Sequence, residues 1–228
     1  SVFTDVMKIY VLGNSAMSAE NMTITANNAG YESILETLPV ASNDSLLMVE
    51  QYKLSTSGTL DITVRGTMRY GRSNIDTTFK YNVNYTSSNI GGDIASRDGK
   101  YTMSIPEKSL EEDMYLVVGM DLSLPGSEKL LRSDNLSKIY TIGPVGKQLV
   151  KGAHVSIALD GLDQNAVSIG YWDGDDWREM KTQLSDDGLN IEGIGTHLGH
   201  YTLISKGSGL PLSLDEELLI PTAYSLEQ

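Results

Sequence analysis

Leu60, Ile62 and Val64 alternate with Asp61, Thr63 and Arg65, and Phe79, Tyr81, Val83 and Tyr85 alternate with Lys80, Asn82 and Asn84. A period of two, with β-branched and aromatic residues on one side, is the pattern of a strand buried on one face. Shorter apolar runs predict strands at Met7 to Leu12, Met22 to Ala26, Ile34 to Leu38 and Leu46 to Leu54. Gly13-Asn14, Asn27 to Gly30, Ser42 to Asp44 and Ser57-Gly58 punctuate them. Strands recurring about every 10 to 14 residues point to a sandwich of about seven antiparallel strands.

The polar run Thr86-Ser87-Ser88-Asn89 interrupts this rhythm and predicts a domain boundary. Beyond it, strands are expected at Gly91 to Ala95, Tyr101 to Ile105, Met114 to Val118, Lys138 to Ile142, His154 to Leu159, Val167 to Trp172, Trp177 to Met180, Leu189 to Glu192 and His200 to Ser205. Asp98-Gly99, Asp173-Gly174 and Asp187-Gly188 separate neighbouring runs and predict two-residue type I′ hairpins, which require positive φ at both positions. Pro106 to Asp113, with proline first and acids following, has room for one or two helical turns. No long amphipathic helix is present. The expected fold is all-β: two antiparallel β-sandwich domains in tandem, Ig-like over 1–88 and a second over 89–206, with 207–228 as a linker. That linker opens on Gly207-Ser208-Gly209 and sets Asp215, Glu216 and Glu217 among Leu212, Leu214, Leu218 and Ile220.

Charge and composition narrow the function classes. The 17 basic and 30 acidic side chains give a net charge of −13, and most of the excess lies after residue 95. Such a chain repels phosphate backbones, so no nucleic-acid partner is expected. With no cysteine there is no disulfide, thiolate metal site or cysteine nucleophile. No apolar stretch approaches the ~18 residues of a membrane helix, so membrane insertion is not expected. The start at Ser1 reads as a processed chain or an excised fragment.

Tyr140-Thr-Ile-Gly-Pro144, Val155-Ser-Ile157, Ser168-Ile-Gly-Tyr-Trp-Asp-Gly-Asp-Asp-Trp177 and Thr196-His-Leu-Gly-His-Tyr-Thr-Leu-Ile204 resemble the β-sandwich of the GAIN and ankyrin-type domain superfamily over residues 98 to 205. Ile220-Pro-Thr-Ala-Tyr-Ser-Leu-Glu-Gln228 resembles the segment before the type IX secretion sorting domain of large secreted bacterial proteins, subtilisin-like peptidases among them. In those proteins paired β-domains similar to these precede the sorting signal. The resemblance implies an extracellular or cell-surface location and an upstream domain of the same polypeptide as partner.

Candidate chemistry is sparse. The histidines are His154, His197 and His200. His154 opens an alternating strand and reads as a surface imidazole. His197-Leu198-Gly199 resembles the cleavage site of self-cleaving GAIN domains, where a Ser or Thr in the third position attacks the preceding carbonyl. Gly199 has no hydroxyl, so His197 and Tyr201 read instead as a hydrogen-bonded pair at a strand entry. No catalytic residue, metal ligand or cofactor is assigned. Asp173, Asp175 and Asp176 offer oxygen ligands but lack the glutamate of an EF-hand loop, and a hairpin tip is the simpler reading. Tyr171, Trp172 and Trp177 are the candidate ligand-binding residues, because sugar rings stack on such aromatic faces; core filling is the alternative for the same side chains. The expected function is a non-catalytic structural or accessory module, with a carbohydrate- or protein-binding module using the Trp-bearing hairpin as the alternative.

Overall fold

The computed structural model describes residues 6–12, 23–35, 37–39, 46–67, 74–120 and 136–211. The expected turns at Gly13-Asn14 and Ser42 to Asp44, and the segment 212–228, lie outside the described residues. Every regular element among those described is a strand. The fold is an antiparallel β-sandwich, and the chain divides into two compact units, Ser1–Val83 and Asn84–Gln228.

The first unit contains β1 (Val6–Leu12), β2 (Thr23–Asn28), β3 (Tyr31–Leu35), β4 (Thr37–Pro39), β5 (Leu46–Lys53), β6 (Gly58–Thr67) and most of β7 (Asn74–Thr86). β1-β5-β4 form one sheet, and β3-β2-β6-β7 are consecutive neighbours in another. Alternation in the sequence is reproduced in burial: Ile24 and Ala26 of β2, Leu60, Ile62 and Val64 of β6, and Tyr81 and Val83 of β7 are buried. On β6 and β7, Thr63 and Thr78 share a 3.0 Å hydroxyl contact and Arg65 reaches Asp76 at 3.2 Å.

The second unit adds β8 (Gly92–Ala95), β9 (Tyr101–Ile105), β10 (Met114–Met120), β11 (Tyr140–Gly143), β12 (Gln148–Ala158), β13 (Val167–Trp172), β14 (Trp177–Glu179), β15 (Thr182–Leu184), β16 (Asn190–His197), β17 (His200–Ser205) and β18 (Leu210–Pro211). β18-β14-β13-β17-β11-β10 are consecutive neighbours in one sheet, which continues from β10 to β7, and β15-β16-β12-β9-β8 form the other. Tyr101, Met103, Val155, Ile157 and Ile191 of the second sheet meet Leu116, Val118, Ile142, Ile169, Tyr201 and Leu203 of the first in one core. Burying each large apolar side chain contributes about 1.5–3 kcal/mol, so this layer dominates the unit's stability.

Two local expectations are corrected. Pro106 to Asp113 is not helical, because Lys108 has φ 60°, on the left-handed side, and a right-handed helix cannot pass through it. The Asp-Gly hairpins have the expected positive φ at Gly99 (71°), Gly174 (108°) and Gly188 (74°), but none of their aspartates shares it, so none is type I′. Each aspartate instead folds its carboxylate back onto backbone N–H groups, the Asx turn that competes with a two-residue reversal. Positive φ at both of two consecutive positions, as type I′ requires, falls at Ala29-Gly30 (51°, 93°), joining β2 to β3, and at Asp160-Gly161 (54°, 88°) after β12.

Candidate functional site

Asp173, at the tip between β13 and β14, accepts hydrogen bonds at Oδ1 from the N–H groups of Asp175 (2.9 Å) and Asp176 (2.8 Å). Its Oδ2 receives Arg178 Nε at 2.6 Å. Partial burial raises its pKa, but these donors outweigh that and hold the carboxyl below its ordinary value. The carboxylate that sequence offers to a cation is thus committed to folding the loop. No cluster of three or more His, Asp or Glu able to hold a metal ion occurs among the described residues.

Behind the tip, Trp172 and Trp177 sit directly opposite each other across β13 and β14, in edge-to-face contact with centroids 5.5 Å apart. Trp177 is 1% exposed, packs with Ile139, and keeps its Nε1–H without a hydrogen-bond partner; Trp172 is half-buried against it. Tyr171 points into the space between the sheets and is 7% exposed. The three aromatic candidates are therefore split: two share a face of their sheet, and the third belongs to the core.

Tyr171 begins a line of rings through that core. It stacks on His197 with centroids 5.4 Å apart and planes 12° from parallel, and it touches Tyr201 at 5.3 Å. Tyr201 continues to Tyr101 at 6.0 Å, and Tyr101 stacks on Tyr140 at 5.2 Å. The Tyr201 hydroxyl donates to the His197 carbonyl at 2.5 Å, the strand-entry pair that the sequence suggests. An ideal Cβ built on Gly199 would lie 3.1 Å from Tyr171 Cε2, so glycine is needed there for the close approach of the ring.

Each histidine has a structural occupation. His200 is buried with Nδ1 2.8 Å from Thr141 Oγ1, and burial pushes its pKa down to about 4. His197 Nδ1 lies 3.0 Å from Thr196 Oγ1. His154 Nε2 lies 3.3 Å from Glu192.

Sequence reasoning missed three polar devices. Asp113 gathers the Ser88 N–H (2.7 Å), Ser88 hydroxyl (2.8 Å), Tyr85 hydroxyl (2.9 Å) and Ser87 hydroxyl (3.4 Å), which together lower its pKa. The other two are a pair of matching Ser-x-Asp-Gly loops. Ser96 donates to Asp98 at 2.6 Å, and Ser185 to Asp187 at 2.6 Å. Asp98 receives the Lys100 N–H, and Asp187 that of Leu189. Each serine hydroxyl also accepts the N–H five residues on, from Tyr101 and Asn190. The spacing was readable as Ser96-Arg97-Asp98-Gly99 and Ser185-Asp186-Asp187-Gly188.

In comparisons with known proteins, no family profile matches the chain and no curated protein matches it.

Proposed function

We propose that the chain is a non-catalytic structural module of a secreted, cell-surface protein, spacing or stabilising a functional domain elsewhere in the same polypeptide. The observation that carries this reading is the commitment of the reactive side chains to packing. His200 is buried on Thr141, His197 is stacked on Tyr171, and Gly199 is pressed against the same ring. A hydrolase that activates a hydroxyl nucleophile with histidine would need that histidine beside the nucleophile, with room for a substrate. The extracellular setting rests on the likeness of residues 220–228 to segments that precede type IX sorting signals, and on the acidic composition.

The alternative is a module that binds carbohydrate or protein through the Trp-bearing hairpin. Trp172 favours it, as the more open of the two indoles. Assays of the purified chain on peptide, ester and glycoside panels, beside a glycan array, decide between them. The structural reading expects no turnover and no glycan signal. Turnover abolished by His200→Ala or His197→Ala would overturn it, and a glycan signal lost in Trp172→Ala would establish the binding module.

A further inference from the structure

β14 is three residues long, and β18 pairs with it in parallel, Arg178 beside Leu210 and Glu179 beside Pro211. The neighbouring pairs β13–β14 and β13–β17 are antiparallel. In the sheet, β13 and β14 stand between β17 and β18, a span of about 14 Å at ordinary strand spacing. Lys206–Gly209 must cover that span, and four residues leave little length for a detour. The crossing is anchored on the way: Gly207 donates its N–H to Glu179 Oε2 at 2.7 Å, and Ser208 donates its hydroxyl to the Ser205 carbonyl at 2.6 Å.

The floor of the crossing is shaped for a strand without side-chain bulk. An ideal Cβ on Gly170 would lie 3.0 Å from the Ile204 side chain and 3.2 Å from Trp177 Cε3, so those two side chains fill the space above that glycine. Both are buried, at 1% exposure each, yet both stand outside the main core between the sheets. An ideal Cβ on Gly209 would lie 2.8 Å from the Glu179 backbone nitrogen and 2.9 Å from Ile204 Cδ1. The backbone of residue 209 therefore lies directly on Ile204 and β14, in a gap that any side chain would close. Pro211 has no N–H with which to extend the ladder, so it fits as the last residue of the added strand.

We propose that the edge of β14, floored by Gly170, Ile204 and Trp177, is a strand-acceptor site for an extended glycine–apolar–proline segment of polypeptide, filled in cis by Gly209, Leu210 and Pro211. Strand addition of this kind takes affinity from main-chain hydrogen bonds and specificity from the few positions that meet the floor. Here the selective position is residue 209. The short pairing and the glycine-containing connection make the occupant exchangeable, and the same segment of a second copy offers identical chemistry.

The test uses the full chain, whose two tryptophans are Trp172 and Trp177. Gly209→Val should unseat the segment, shift tryptophan emission to the red, and remove hydrogen-exchange protection at Glu179, while Met180, whose N–H donates to the Ile169 carbonyl of β13, keeps its own. A synthetic peptide of residues 206–214 should then reverse both changes saturably, whereas the same peptide with valine at position 209 should not. Should Gly209→Val fail to fold, Glu179→Ala removes only the carboxylate that anchors Gly207, and it should speed exchange at 207–210 alone. Sizing across a range of concentrations separates the sources. A monomer means the site is filled in cis; a dimer lost in Gly209→Val means it is filled by a second copy. A folded Gly209→Val with parental emission and exchange, or one indifferent to the peptide, overturns the proposal, as does Glu179→Ala with unchanged exchange.

Discussion

At Gly199 a sequence likeness and a packing fact point the same way. Installing a hydroxyl there with Gly199→Ser drives its Cβ to 3.1 Å from Tyr171, whose ring is already held by His197 and Tyr201. Overpacking of this kind costs about 1–3 kcal/mol. Cleavage does not follow, because His197 is stacked on Tyr171, with its Nδ1 against Thr196 rather than free beside residue 199. Intact-mass measurement after long incubation should show one species for the parent and for Gly199→Ser; a fragment ending at Leu198 in either would refute this. Ala29 presents the opposite case. It holds φ 51° in the β2–β3 turn, a conformation that costs an L-residue with a Cβ about 1–2 kcal/mol and that asparagine tolerates better. Its N–H donates to the Thr59 carbonyl at 2.8 Å, and its side chain is exposed, so Ala29→Asn preserves the contacts. Urea denaturation should show the variant more stable by about 1 kcal/mol.

The two Ser-x-Asp-Gly loops carry most of the element-scale argument. Each closes a hairpin, β8 to β9 and β15 to β16, and β9 and β16 both pair antiparallel with β12. The sheet is thus two similar hairpins laid on either side of one central strand. Removing a hydroxyl that both donates to a carboxylate and accepts a backbone N–H leaves two groups unsatisfied, at about 1–3 kcal/mol. Ser96→Ala and Ser185→Ala should each lower the urea midpoint accordingly, and Ser55→Ala, on an exposed residue away from these loops, serves as the control. The strands themselves were largely legible, since alternation along β6 and β9 marks the residues that are buried. Legibility failed where geometry is set from a distance. β7 was read with Phe79 and Tyr85 on its apolar side, yet these are 41% and 54% exposed, because periodicity shows which positions share a face and not how far the covering layer extends. β12 begins six residues before His154, through a register shift between Gln148 and Ala153 that destroys the alternation. β16 continues past Glu192 through Gly193 and Gly195, which look like breakers in sequence. In the fold they admit the Lys181 carbonyl and the Tyr201 hydroxyl, with ideal Cβ distances of 3.0 and 2.6 Å. Of the aromatic candidates, sequence could place Trp172 opposite Trp177, but the cover that leaves Trp177 at 1% exposure comes from contacts distant along the chain.

Across the whole molecule, buried titratable groups define the pH range in which the fold is stable. His200 has its pKa lowered to about 4 by burial, from an unfolded value of 6.5. Between those values the unfolded chain binds the extra proton, so stability rises with pH through this window and is lost as pH falls from about 6.5 toward 4. The shift corresponds to about 3 kcal/mol. Asp98 and Asp187, with pKa values lowered by the loop hydrogen bonds that outweigh any burial, add losses at lower pH, when their carboxylates protonate. On the alkaline side, burial raises Tyr81 to about 12 and Tyr101 well above its ordinary value. For these groups the native state retains the proton longer, so stability is lost as pH rises above about 10, where the unfolded phenols ionise. The expected profile is a plateau from about pH 6.5 to 10 with a falling arm on either side. Trp172 and Trp177 both lie in the second unit, together with His200, so tryptophan emission during urea titration reads the acid arm for that unit. His200→Asn retains a group able to bond Thr141 while removing the titration, and it should flatten the arm between pH 6.5 and 4 while leaving the alkaline arm in place. An acid arm of equal slope in this variant would show that the loss of stability comes from the carboxylates and not from the buried imidazole.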